Sequence, residues 1–298
     1  MGDRELPRAE DGLAPGGSVA GDVAYRTWGD PDAPALVFWP GLQIWAHVAL
    51  DETAPALVEA TGRRIIAVSP PGWETPSLAP SEYRPTALAR LVVDLLDRLG
   101  LERATYAGFS WGASIGCHLA AAAPDRLDAL VLLDAGYTDF QDRPGFEELD
   151  FEGVRARSAA EAREARWPSW EACLAFFRPS MRTWRPELEE RVRAGMREER
   201  DEIVPIVGYE PFAAAAYGVM VEPPSATLER LGTQELPILL VAATDTIVTE
   251  HGLRALERFR RAVPRADVEE VDSGHDLLAD APTETVAVVG SWIQRSVA

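Results

Sequence analysis

The chain has 298 residues, 47% of them hydrophobic and 26% charged, an ordinary globular composition without the short repeat of a collagen or coiled coil. Its 48 acidic residues outnumber its 29 basic ones and give a formal net charge of −19. Such a charge repels phosphate backbones, so a nucleic-acid partner is not expected.

The N-terminal region predicts no targeting segment. Residues 1–17 are polar and rich in glycine and proline, and we expect them to form a mobile tail. They lack the apolar stretch of a secretory signal, and no later segment approaches the roughly 20 apolar residues of a membrane span. The two cysteines, Cys117 and Cys173, are far apart and have no metal-ligand spacing. We therefore expect a soluble, cytoplasmic protein.

Short apolar runs then alternate with segments of helical periodicity. The apolar runs predict strands at residues 35–39, 64–68, 104–108, 127–133, 237–242 and 268–271. The periodic segments predict helices at residues 88–99, 112–123, 250–261 and 283–296. Strands that alternate with helices form a mostly parallel sheet with helices on both faces, so the predicted fold class is α/β.

The alternation stops after Gly136 and resumes near residue 237. Residues 137–224 are rich in Glu, Arg and Trp and have helical periodicity without a convincing strand. A helical insertion between two halves of one sheet explains this pattern. We predict a core of residues 18–136 and 225–298, with residues 137–224 as a helical cap over the strand ends, where open α/β sheets place their sites.

The segment Gly108-Phe109-Ser110-Trp111-Gly112 lies between a predicted strand and a predicted helix. This is the context in which a G-x-S-x-G pattern indicates a catalytic serine. The sharp turn holds the hydroxyl out at the sheet edge, the glycines allow close approach of the chain, and the following helix N-terminus favours negative charge. Ser110 is therefore the candidate nucleophile.

A serine nucleophile needs a base, and the chain has four histidines. His118 lies in the helix after the serine, His47 follows an early loop, and His251 begins a predicted surface helix. His275 lies in a loop after the last predicted strand, where a base could reach Ser110. His275 is our choice.

The histidine in turn needs a carboxylate that fixes its tautomer. Asp245 and Asp134 both follow predicted strands that end at the same sheet edge, and either could reach His275. We favour Asp245, which follows the strand predicted at residues 237–242 and precedes a helix. The chain order Ser, Asp, His also matches the order expected for one fold in particular. Asp276 is adjacent to the histidine and is interpreted as a capping or solvated carboxylate.

From about residue 23 to residue 297 the sequence resembles the α/β-hydrolase superfamily, in its lidded branch of esterases and lipases. The resemblance implies Ser110 as nucleophile, Asp245 as acid and His275 as base. It also implies an oxyanion hole made by the backbone N–H groups of Leu42 and Trp111. No cofactor or metal is implied.

Three features place the sequence within the α/β-hydrolase superfamily. The loop that usually begins His-Gly in this family reads Pro40-Gly41-Leu42 here, which keeps the backbone donor. A serine nucleophile disfavours the haloalkane dehalogenases and epoxide hydrolases, which use a carboxylate. The Ser-Trp-Gly segment is similar to that of prolyl aminopeptidases, but their His-Gly-Gly-Pro-Gly loop is absent here.

The sequence contains nine tryptophans, a large number for its length. Four of them flank loops expected around the site, namely Trp39, Trp45, Trp73 and Trp111. They fit an aromatic-lined substrate pocket or simple packing between core and cap, and the sequence does not decide between these interpretations.

The sequence as a whole predicts a serine hydrolase that cleaves a small or medium-sized carboxylic ester. Its partner would be that small-molecule ester, and its oligomeric state is not predicted. Two alternatives stay open. The same triad could act on a thioester, lactone, amide or carbon–carbon bond or in acyl transfer, and the chain could be a non-catalytic ligand-binding relative.

Overall fold

A computed structural model of the chain describes residues 10–15, 22–42, 50–73, 75–139 and 150–297. Its strands are β1 (Glu10–Pro15), β2 (Asp22–Trp28), β3 (Ala35–Trp39), β4 (Arg64–Ser69), β5 (Ala104–Phe109), β6 (Leu127–Leu133), β7 (Met196–Glu199), β8 (Glu202–Pro205), β9 (Ile238–Ala243) and β10 (Asp267–Val271). Its helices are α1 (Ala54–Thr61), α2 (Pro85–Arg98), α3 (Trp111–Ala122), α4 (Phe151–Glu164), α5 (Trp170–Phe177), α6 (Pro186–Ala194), α7 (Tyr209–Val221), α8 (Leu228–Gly232), α9 (Thr244–Ile247), α10 (Glu250–Ala262), α11 (Leu277–Asp280) and α12 (Pro282–Ser296).

Across the described ranges, the main sheet has eight strands in the order β1-β2-β4-β3-β5-β6-β9-β10. The pairs of β2 with β1 and β4 are antiparallel, and the remaining pairs are parallel. The mostly parallel α/β sheet predicted from the sequence is confirmed. Because parallel strands end at one edge, the loops after β3, β5, β6, β9 and β10 share that edge.

Helices cover both faces of this sheet. In β3, Val37 and Trp39 face a core that includes the apolar side of α2, while Leu36 and Phe38 face a second core. That second core includes Trp292 of α12 and Leu57 of α1. Burial on both faces is the reason why β3 reads as a continuous apolar run rather than an alternating one.

Part of the expected mobile tail is a strand. Residues 10–15 form β1, which pairs with β2 from Glu10 opposite Thr27 to Pro15 opposite Asp22. The expectation for these residues is therefore wrong. Residues 1–9 and 16–17 lie outside the described residues.

Residues 137–224, for which we predicted helices without strands, contain α4 to α7 and also a hairpin. Strands β7 and β8 pair through a turn at Arg200 and Asp201, both at positive φ. Helix α6 ends at Ala194, and the hairpin begins two residues later at Met196. The sequence carries no clear signal for this hairpin, because its first strand is three-quarters charged and its turn has no glycine.

The described helices all lack the combination of length and apolar character that crossing a bilayer requires.

Both cysteines are free thiols buried in the protein. Burial raises the pKa of Cys117 to about 12 and that of Cys173 to about 11. The thiolate is the reactive form, so at about pH 8 both should react with Ellman's reagent at least about 100-fold more slowly than an exposed thiol. Stopped-flow labelling of native and urea-unfolded protein checks this, and rapid labelling of the native protein would contradict the buried placement.

Candidate active site

Ser110 occupies a strained turn between β5 and α3. Its φ of 52° and ψ of −109° lie in a region that L-residues rarely adopt. A Cβ on Gly108 would lie 2.3 Å from Gly112 C, and one on Gly112 would lie 2.2 Å from the carbonyl oxygen of Trp39. The two glycines of the motif are therefore required by close backbone approach, and the turn presents the Ser110 hydroxyl at the strand edge.

The structure brings His275 to Ser110 from a loop 165 positions later in the sequence. His275 follows β10, and its Nε2 lies 2.9 Å from Ser110 Oγ. Its ring packs on Phe109 with centroids 5.2 Å apart. The imidazole is 41% exposed, so one side of it is open to solvent or to a ligand.

The other imidazole nitrogen contacts Asp134, which follows β6. His275 Nδ1 lies 2.7 Å from Asp134 Oδ2, and the Asp134 side chain is fully buried. Its carboxylate also accepts hydrogen bonds from the Ala243 amide at 2.8 Å and from Thr246 Oγ1 at 2.6 Å. Because a carboxylate only accepts, Nδ1 carries the proton and leaves Nε2 as the acceptor for the serine hydroxyl.

The choice of Asp245 as the partner of His275 is corrected to Asp134. Asp245 lies in α9, after β9, with its carboxylate turned outward to Arg182, whose Nε and Nη2 lie 3.1 and 2.5 Å from its oxygens. Strand β6 lies between β5 and β9, so Asp134 starts one strand closer to Ser110. The strand order, which the sequence alone does not contain, would have identified it.

The loop after β3 runs directly against the serine. A Cβ on Gly41 would lie 3.2 Å from Ser110 Cβ and 2.9 Å from the Phe109 ring. Leu42, Ser110 and Trp111 line a common pocket with an empty volume of about 440 Å³ including its mouth. The Trp111 amide is the first of α3, where backbone N–H groups have no intrahelical acceptor.

Three of the tryptophans expected near the site pack on one another. The Trp73 and Trp111 rings stack at 5.7 Å, and Trp39 meets Trp111 edge-on at 5.8 Å. All three side chains are buried. Of the three, Trp111 lines the pocket. Trp45 lies outside the described residues.

The remaining histidines lie elsewhere or outside the described residues. His118 is buried in α3 with its Nε2 3.1 Å from the Glu222 carbonyl, and burial lowers its pKa. His251 begins α10 and contacts Thr249. His47 falls in residues 43–49, which the structure does not describe. Asp276 caps α11 by accepting from the Ala279 amide, as its expected capping role requires.

Among the described residues, no group of His, Cys, Asp and Glu side chains is arranged to hold a metal ion.

The sequence model of the alpha/beta hydrolase fold matches residues 34–282. Among curated proteins, a 2-hydroxy-6-oxononadienedioate/2-hydroxy-6-oxononatrienedioate hydrolase from Paraburkholderia phymatum is 35% identical over 98 residues, which cover 33% of each chain. The chain matches about a third of the length of the first curated relatives.

Solved structures share the architecture over nearly the whole chain. The thioesterase domain from the curacin biosynthetic pathway has a TM-score of 0.73 at 17% identity, covering 96% of this chain and 99% of that one. An esterase of M. tuberculosis has a TM-score of 0.72 at 23% identity, covering 98% and 93%. At these identities the similarity concerns the fold. The family match and the fold together show that the chain belongs to the alpha/beta hydrolase fold family.

Proposed function

We propose that the protein is a serine hydrolase that cleaves carboxylic esters of small or medium-sized molecules through an acyl-enzyme. Ser110 is the nucleophile, His275 the general base and acid, and Asp134 the carboxylate that orients His275. The observation that carries the proposal is the unbroken chain from Ser110 Oγ through both imidazole nitrogens to a buried carboxylate, with distances of 2.9 and 2.7 Å.

The reaction follows from these contacts. Ser110 Oγ attacks the carbonyl carbon while His275 Nε2 takes the hydroxyl proton. The resulting oxyanion accepts hydrogen bonds from the amides of Leu42 and Trp111. His275 gives the proton to the leaving alcohol as the ester bond breaks. Water then attacks the acyl carbon, gives its proton to His275, and the acid leaves as that proton returns to Ser110.

The described pocket supports an uncharged substrate group close to the serine. Besides Ser110, its lining combines apolar side chains with two further hydroxyls and includes no charged residue among those described: Leu42, Trp111, Ser114, Ala135, Thr138, Ala216 and Val219. The similar proteins include an esterase, a thioesterase domain and a hydrolase, which supports hydrolysis as the reaction class. A panel of p-nitrophenyl esters, thioesters, lactones and amides identifies the bond that the protein prefers.

A fluorophosphonate probe should form one covalent adduct, on Ser110, and abolish ester hydrolysis in parallel. Intact-protein and peptide mass spectrometry locate the adduct. Ser110→Ala should take no label, whereas the control Ser81→Ala removes an exposed hydroxyl and should label like the wild type. An inert Ser110 in a folded protein would contradict the proposal and favour a ligand-binding role.

A further inference from the structure

The segment that carries His275 is held from the cap as well as from the core. Residues 272–280 contain two carboxylates that flank the histidine, Asp272 and Asp276, and a third, Asp280, in α11. Each of them contacts an arginine that lies between α5 and β7. Every basic residue of this chain is arginine, whose planar fork can bind several acceptors at once.

Arg182 makes the densest set of these contacts. Its guanidinium binds both oxygens of Asp245 and reaches Asp272 Oδ1 at 2.8 Å. Its backbone amide donates to Asp280 Oδ1 at 3.0 Å, while Asp280 Oδ2 accepts from the Gly274 amide at 3.1 Å. A continuous hydrogen-bonded path therefore runs from the cap to the residue before His275.

Arg191 of α6 contacts the residues that follow His275 in the chain. Its side chain is only 3% exposed, and Nη1 lies 3.4 Å from Asp276 Oδ2 while Nη2 lies 3.3 Å from the Leu278 carbonyl oxygen. Arg185 adds a contact of 2.7 Å from Nη2 to the Ala279 carbonyl oxygen. The residues before and after His275 are thus both tied to arginines of the cap.

We infer that Arg182 and Arg191 are positioning residues for the hydrolysis proposed above, holding His275 within reach of Ser110 from the cap side. The inference rests on that proposed function. The core contacts the imidazole itself through Asp134, 2.7 Å from Nδ1, and through the Phe109 ring, whose centroid lies 5.2 Å away. The arginines hold the backbone that carries the imidazole together with core hydrogen bonds that join Ser273 to Thr244 and Asp245, so cap placement and the activity of the base are coupled.

The geometry explains why Asp245 does not act as the acid of the triad. Its amide donates to the Ser273 carbonyl at 3.2 Å, so it lies beside the histidine loop. Its carboxylate is nevertheless occupied by Arg182. Hydrogen bonds from Arg182 and Thr244 also lower the pKa of Asp272, which keeps a negative charge facing the guanidinium. Asp245 thereby serves as the core's anchor for the cap.

Arg182→Gln tests the inference because it removes the charged fork and leaves a shorter, neutral polar side chain. We expect kcat to fall about tenfold with KM changed less than about twofold, since substrate binding is untouched and the base is displaced. The fluorophosphonate inactivation rate should fall by a similar factor. Arg182→Lys should recover part of kcat, because one ammonium can still bridge two of the carboxylates.

The matched control is Arg155→Gln, which breaks a bidentate pair with Glu210 between α4 and α7. That pair is similarly exposed and does not touch the histidine loop. Asp245→Asn should reproduce the loss seen in Arg182→Gln, and the double variant should be no slower than either single one. Unfolding in urea, followed in parallel, should shift by similar amounts in Arg182→Gln and Arg155→Gln.

A kcat for Arg182→Gln equal to that of Arg155→Gln would overturn the inference, as would a loss that appears in KM alone. Additive losses in the double variant would also contradict it. These outcomes differ from failure of the proposed function itself, in which the wild type neither hydrolyses esters nor reacts with the fluorophosphonate. Active-site titration before each assay ensures that kcat refers to folded protein.

Discussion

Asp134→Asn is expected to lower kcat for ester hydrolysis by about 10³- to 10⁴-fold while leaving KM nearly unchanged. An amide at this position can present its NH₂ group to His275 Nδ1, and the imidazole then carries its proton on Nε2. The nitrogen that should accept the Ser110 proton would become a donor. The variant also loses the negative charge that stabilises the imidazolium formed during the reaction.

Asp245→Asn is the matched comparison, because both residues are aspartates that follow neighbouring strands of the sheet. Its loss should stay at about tenfold, since Asp245 acts through Arg182 and the backbone rather than on the imidazole. Steady-state kinetics of both variants, with folding checked by circular dichroism, measure the difference. Equal losses in the two variants, or an Asp134→Asn variant that keeps a tenth of its activity, would contradict the assignment.

The Asp134→Asn protein should fold although position 134 is buried. Asparagine has the shape of aspartate, and its carbonyl oxygen can still accept the 2.8 Å hydrogen bond from the Ala243 amide. The positive φ of 46° at this position also suits asparagine better than most residues. We therefore expect the midpoint of urea unfolding to change little, although kcat falls by about 10³- to 10⁴-fold.

The parts of this protein that could be predicted from sequence are those in which one local segment carries the whole signal. The strand, the G-x-S-x-G turn and the following helix are contiguous, so Ser110 and its elbow follow from a run of about 20 residues. The buried parallel strands also read directly as apolar runs. His275 can be chosen by elimination, because the sequence has only four histidines and three of them lie in less suitable places.

Asp134 could not be distinguished in this way. Asp134 and Asp245 each follow a buried strand, and the choice depends on which strand neighbours β5 and on which carboxylate is already occupied. The first is a property of topology, and the second depends on Arg182, 63 positions away. Long-range pairing of one side chain with another leaves no periodicity or spacing in the sequence that a local pattern could reveal.

Gly112→Ala is expected to destabilise the protein by at least about 3 kcal/mol, at the upper end of what overpacking costs. The added methyl would lie 2.2 Å from the Trp39 carbonyl oxygen and 3.0 Å from that of Pro40. Both contacts are backbone atoms, which cannot rotate away as a side chain can. The matched control is Gly208→Ala, at which the nearest atom lies 3.9 Å from the new methyl, and it should change stability by less than about 0.5 kcal/mol.

The same substitution should also lower kcat by about 100-fold in the fraction that remains folded, because displacement of a donor by about 1 Å has this cost. Trp39 ends β3 and leads directly into Gly41 and Leu42, so a methyl at position 112 moves the loop that carries one proposed oxyanion donor. Urea unfolding measures the stability, and kinetics on titrated active sites measure kcat. A stable Gly112→Ala protein with wild-type kcat would mean that the β3 loop does not lie against the elbow, and Leu42 would lose its proposed role.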